Sequence, residues 1–128
     1  MVELIRHRAA QTDMARVVTL GALTRGLEGE FLSEMSALKQ AGCVGVSNAM
    51  RPMANALVER RALEYAATFG LTVFLHADDP WLSRCGCAHE GAVATRLGLP
   101  GIPSATETAT VARYLALVEQ FDARVHFC

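Results

Sequence analysis

The apolar positions of this chain follow two periods in turn, one helical and one extended, and the alternation sets out its elements. Val2, Leu4, Ile5, Ala9 and Ala10 recur at broadly helical spacing and predict a first helix over residues 2–13. The run Arg16-Val17-Val18-Thr19-Leu20, within residues 15–23, is rich in β-branched side chains and predicts a short strand. After a loop at residues 24–29, Phe31, Leu32, Met35 and Leu38 share one face of a helix predicted from Glu30 to Gln40, which Ala41-Gly42 stops. Cys43-Val44-Gly45-Val46-Ser47 reads as a second strand. Residues 48–52 form a loop, and a helix is predicted from Met53 to Phe69, with Leu57, Val58, Leu63 and Ala66 turned to the core and Gly70 as its stop.

Leu71 to Leu75 is a third strand, and it delivers His76, Asp78 and Asp79 at its end. Residues 80–89 read as irregular, residues 90–97 as a short helix and residues 98–103 as a turn region. Ser104 with Glu107 forms the pattern of a capping box at the head of a helix over residues 105–121. Ala123 to Cys128 begins a fourth strand.

Strand and helix alternate with connections that suit right-handed crossovers, so the fold class is α/β and the sheet is predicted parallel. Two completions are compatible with this pattern: a doubly wound domain, or a slice of a larger barrel. The 128 residues suffice for one domain with its own core. Apolar residues make up 52% of the chain, rich for a free-standing domain of this size, which suggests surfaces that need a partner. Twelve basic and 13 acidic residues leave the charge near zero, which favours neither nucleic acid nor an anionic membrane. No apolar run approaches the roughly 20 residues that span a bilayer. Met1 to Arg8 is a charged amphipathic segment unlike a signal peptide, and four cysteines in an α/β-type chain read as reduced thiols in the cytoplasm.

The strongest candidate for chemistry is His76 with Asp78 and Asp79. α/β folds place their chemistry at the C-terminal ends of the strands. A neutral imidazole there is a common metal ligand, which carboxylates can orient. The alternative is a histidine bonded to a backbone carbonyl, with the two aspartates capping the next element. Cys85-Gly86-Cys87-Ala88-His89 offers soft ligands, but structural zinc sites use wider spacing and a second pair, and only the isolated Cys43 and Cys128 remain. His7 reads as solvated surface and His126 as structural. Ser47 lacks a nucleophile-elbow context, and no phosphate-binding glycine motif follows a strand.

Several collinear segments resemble dihydroorotase, the cyclic amidohydrolase of pyrimidine synthesis, in its bacterial type. They are residues 21–29 (Gly21 to Gly29), 38–47 (Leu38 to Ser47) and 61–66 (Arg61 to Ala66), then His76-Ala77-Asp78-Asp79, His89-Glu90-Gly91, residues 98–103, Ala112-Arg113 and Arg124 to Cys128. The resemblance covers essentially the whole chain. It implies one partial (β/α)8 TIM-type amidohydrolase barrel over residues 1–128, cut at both ends, with about four parallel strands and their helices. It further implies zinc at the C-terminal ends of the strands, a metal-ligand position at His76, and dihydroorotate or carbamoyl aspartate as the small-molecule substrate. Zinc would polarise the ring amide and activate a water.

Three departures accompany the resemblance. The family's first-strand His-x-His pair and the histidine expected after Cys128 lie outside the chain. Where active relatives carry Ser/Thr-Asp-Asp-Gly after the second strand, this chain has Ser47-Asn48-Ala49-Met50. That change resembles a non-catalytic, dihydroorotase-like subgroup that partners aspartate carbamoyltransferase. The expectation is a chain that does not turn over dihydroorotate by itself.

Overall fold

The computed structural model describes residues 1–12 and 14–128, so only Asp13 of the predicted first helix lies outside the described residues. Helix α1 runs Val2–Thr12, followed by strand β1 Leu20–Ala22, helix α2 Met35–Gln40, strand β2 Gly45–Ser47, helix α3 Ala56–Thr68 and strand β3 Thr72–Leu75. Strand β4 Ala88–His89, helix α4 Ala92–Leu97, strand β5 Gly101–Ile102, helix α5 Ala105–Phe121 and strand β6 Arg124–Phe127 complete the order.

The main sheet is parallel throughout, in the order β1-β2-β3-β6. Strands β4 and β5 form a separate parallel pair within the long connection from β3 to β6. In the main sheet each strand therefore lies beside the one that precedes it. A doubly wound domain would reverse direction at a switch point and clothe both faces of its sheet. Here Leu23, Val46, Val73 and Leu75 pack in one cluster with Met35 of α2, Leu63 and Ala66 of α3, and Tyr114 of α5. All three helices thus cover the same face. The register of the strands puts Gly45 beside Thr72 and Ser47 beside Phe74, with Arg124 and His126 continuing the row on the opposite face. Sequential strands with helices on one side are the arrangement of part of a (β/α)8 barrel, whose second face is the barrel interior.

The local chemistry explains most boundaries. Asn55 caps α3, its Oδ1 accepting from the N–H groups of Leu57 and Val58 at 3.0 Å each. Gly70 closes the same helix at φ +59°: its N–H donates to Ala67 O and that of Leu71 to Ala66 O, both at 3.0 Å. Of the four core positions predicted on this helix, Leu63 and Ala66 are fully buried and Val58 partly so. Leu57 is instead half exposed in the first turn.

Several elements depart from the sequence pattern. Residues 30–34 are not helical. Arg25 N–H donates to Phe31 O at 2.8 Å and Ser33 N–H to Leu23 O at 3.1 Å, which folds this segment back along the end of β1. Phe31 is consequently exposed and α2 starts only at Met35. The first strand begins at Leu20 because Val17 and Val18 lie in an exposed, unpaired lead-in. The long helix starts at Ala56, after a loop that includes Pro52. The irregular and turn regions at 80–89 and 98–103 contain β4 and β5. The capping box at Ser104 does not form. Ser104 already has helical dihedrals, and Thr106 N–H reaches back to Pro103 O at 3.0 Å, so no orphan donor meets the serine hydroxyl.

Candidate functional site

The C-terminal ends of β2 and β3 open onto a cleft of about 270 Å³, lined by Asn48, His76, Asp79, Trp81, Arg113 and Tyr114, among others. Its polar groups come from α3, α5 and the loops after β2 and β3.

Glu59 projects from α3 into this region with its side chain only 6% exposed. A carboxylate so buried needs compensation. Arg113 of α5 supplies it with a two-pronged contact, Nε to Oε2 at 2.9 Å and Nη2 to Oε1 at 3.0 Å. The Tyr114 hydroxyl donates to Oε1 at 3.1 Å. The third nitrogen of Arg113 lies 3.5 Å from Asp79 Oδ2, so one guanidinium ties α3 to the rim loop. Its bond to Glu59 is the chief reason that the Arg113 pKa is raised, against the opposing pull of burial. Burial, followed by the Glu59 charge, pushes the Tyr114 phenol well above its ordinary range.

Asp79 caps the turn that follows it. Its Oδ1 accepts from the N–H of Trp81 at 2.9 Å and of Leu82 at 3.1 Å. Burial alone would raise its pKa, but the bonds to Leu82 and Trp81 and the Arg113 charge outweigh it and hold the carboxyl below its ordinary value. Asp78 accepts from Ser83 Oγ at 3.2 Å. Neither aspartate therefore orients His76 in the manner of a carboxylate behind a metal-bound imidazole; both organise the turn.

His76 itself is exposed at the rim. Its Nδ1 lies 3.2 Å from the main-chain oxygen of Cys128 at the end of β6. That oxygen can only accept, so Nδ1 is the donor in this bond, and in a neutral imidazole Nε2 would carry the lone pair.

Asn48 follows directly on β2 and is 3% exposed. Both ends of its amide are engaged: Oδ1 accepts from Thr24 Oγ1 and Nδ2 donates to Arg51 O at 3.1 Å. Thr24 Oγ1 in turn accepts from Gly29 N–H at 2.9 Å. Ala49 beside it takes a left-handed φ of +55°, with its N–H donating to Ser47 Oγ at 3.0 Å.

These residues do not fit a zinc site. Zinc asks for three or four protein ligands, and no group of three His, Cys, Asp or Glu side chains able to hold a metal occurs among the described residues. The structure offers the His76 imidazole and, in the same cleft, a neutral amide already bonded at both ends. The other candidates stand apart. His7 lies on exposed α1, 3.1 Å from Gln11. His126 packs against Phe74 with ring centroids 5.0 Å apart. Cys85 and Cys87 are exposed free thiols, and Cys43 is buried beside Thr19.

The Glu59–Arg113–Asp79 network escaped the sequence reading. Its one signal is that Glu59 falls in helical register with the buried Leu63 and Ala66, where a carboxylate requires a partner.

The family model described as dihydro-orotase-like matches residues 1–128. A dihydroorotase-like protein of Pseudomonas putida is 51% identical over 127 residues, covering 99% of this chain and 30% of the relative. A dihydroorotase-like protein of Pseudomonas aeruginosa is 50% identical over the same length and with the same coverage. A dihydroorotase of Anaeromyxobacter sp. (strain K) is 48% identical over 126 residues, 98% of this chain and 29% of the relative. The chain thus spans about 30% of the length of the curated relatives it matches. No helix among the described residues is long and apolar enough to cross a membrane.

Proposed function

The chain belongs to the dihydroorotase-like family, and we propose that it serves pyrimidine biosynthesis in the cytoplasm as a segment of one amidohydrolase barrel that holds no working zinc centre. The observation that carries this reading is Asn48. At a position where active relatives have an acid, the chain has a buried amide whose two ends serve the fold. Whichever of the family's two acids binds the metal, neither Asn48 nor Ala49 supplies its negative charge, and the Asn48 oxygen already accepts from Thr24. By resemblance His76 falls on a metal-ligand position of the family, but one imidazole does not hold zinc. The segment reading is supported by the sequential strand order and by the share of the relatives that the chain covers.

The test is turnover. Purified chain, supplied with zinc, is expected to hydrolyse dihydroorotate no faster than a His76→Ala control. Zinc-dependent turnover above that control would overturn the reading.

A second reading gives the loss of chemistry a purpose: the chain acts as a non-catalytic scaffold for aspartate carbamoyltransferase. Ser47-Asn48-Ala49-Met50 favours it, as does the similarity to two Pseudomonas proteins named dihydroorotase-like. Co-elution with the transferase from the same organism is the expected result. Separate elution at micromolar concentrations of both would argue against it.

A further inference from the structure

The turn that follows β3 lines the cleft through Asp78, Asp79, Pro80 and Trp81. It is bonded mainly to itself. Asp79 Oδ1 accepts from the N–H groups of Trp81 and Leu82. Ser83 N–H donates to Asp79 O at 2.9 Å, and Gly86 N–H to Ser83 O at 2.9 Å. Asp78 Oδ2 and Asp79 O both lie within reach of Ser83 Oγ. Its two ends are sharp bends. At one, Asp78 N–H closes back on His76 O at 3.1 Å. At the other, Cys85 stands at φ +63°, a left-handed conformation that costs a residue with a Cβ. Among the described residues, a single hydrogen bond or ion pair joins residues 78–84 to the helices: Arg113 Nη1 to Asp79 Oδ2, at 3.5 Å.

We propose that this contact is a releasable catch, and that residues 78–84 swing as one lid on the cleft when it opens. Both partners stay satisfied when it breaks. Arg113 keeps its bonds to Glu59 at 2.9 and 3.0 Å, so no buried charge is stranded. Asp79 keeps the two N–H groups of its own turn. The catch is also the weak member of the network. Its 3.5 Å exceeds the roughly 3.2 Å reach of a normal N–H···O bond. The guanidinium is 35% and the Asp79 side chain 17% exposed, so water and salt screen the pair. The Glu59 contact is two-pronged, and its carboxylate is buried, so α3 and α5 remain joined while the turn leaves. The internal bonds of the turn travel with it, which makes the motion a swing rather than an unravelling.

Asp79→Asn separates the catch from the turn. Asparagine keeps a side-chain oxygen for the Trp81 and Leu82 N–H groups, loses the charge that attracts Arg113, and leaves Glu59 paired. Backbone relaxation dispersion reads the microsecond-to-millisecond range in which lids move. The amides of Trp81, Leu82, Ser83 and Arg84 are expected to share one exchange rate in Asp79→Asn. The open population should be roughly two- to fivefold that of the parent. Hydrogen exchange at Trp81 and Leu82 should stay slow in Asp79→Asn, because the turn is intact. It should become fast in Asp79→Ala, which removes the cap as well. A circular dichroism melt confirms that both variants keep their fold. No added exchange process in Asp79→Asn would overturn the catch. Unrelated rates at the four amides, or lost protection of Trp81 and Leu82 in Asp79→Asn, would overturn the swinging lid. Protection retained in Asp79→Ala would do the same, since the turn would then not be held by Asp79.

Discussion

Replacing Asn48 by aspartate would put back one of the two acids that the resemblance implies, and the structure indicates that the fold resists it. Asn48 Nδ2 donates to Arg51 O at 3.1 Å in a site that is 3% exposed. Aspartate would lose that bond and turn a second oxygen toward the carbonyl, while Thr24 could still donate to the first. The lost bond costs about 1 kcal/mol, and a carboxylate charge buried at position 48 and facing that carbonyl adds roughly 1–3 kcal/mol. Asn48→Asp is therefore expected to destabilise the chain by about 2–4 kcal/mol at pH 7. The sign of its pH dependence follows. The new carboxyl is disfavoured as an anion when folded, so its folded pKa lies above the unfolded value of about 3.9. Its protonated form can donate to Arg51 O again. The penalty should thus be nearly absent below about pH 4 and grow as pH rises through the folded pKa. Urea unfolding of both chains at pH 4 and pH 7 measures this, and comparison at equal pH cancels the other titrating groups. A variant as stable as the parent at pH 7, or a penalty independent of pH, would refute the argument that Asn48 serves the fold as a donor.

Arg113→Met should cost about 3 kcal/mol or more, because it strands the buried Glu59 carboxylate; thermal unfolding checks this. Asn55→Ala should cost about 1 kcal/mol by removing a helix cap, whereas Ser104→Ala should change stability little because Ser104 makes no capping bond. Ala49→Gly should stabilise by roughly 1 kcal/mol, since alanine is held at φ +55° where glycine is unstrained; a chemical denaturation series would read it. Asp79 has a lowered folded pKa, so its contribution is present above its ordinary value of 3.8 and lost as pH falls through the lower folded value. Asp79→Asn should flatten the acid limb of a stability–pH profile in that window.

The fold was largely legible in the sequence because its signals are local. Leu71 to Leu75 reads as a strand from its own residues, and Gly70 as a stop from its need for positive φ. The bounds of α5 follow from the apolar period that ends before Asp122. Phe31 and Leu32 misled because their helical spacing competes with hydrogen bonds to Leu23 and Arg25, which only the folded β1 loop brings near. The choice between a barrel segment and a doubly wound domain rests on strand order and on which face the helices cover, and these depend on packing between distant elements. His76 stands directly after β3, as the apolar run that precedes it indicates, and Asn48 stands out only through the resemblance. That Asn48 is locked at both ends was not legible, since Thr24 lies 24 residues away. Glu59 and Arg113 are 54 residues apart on separate helices, so nothing in the sequence pairs them.

The most direct test of the central claim is the zinc content of the purified chain after equilibrium dialysis against micromolar zinc, measured for the parent and for His76→Ala. The account predicts substoichiometric zinc in both, with no difference between them. One zinc per chain in the parent, lost on His76→Ala, would show that these residues build a metal centre after all and would contradict it.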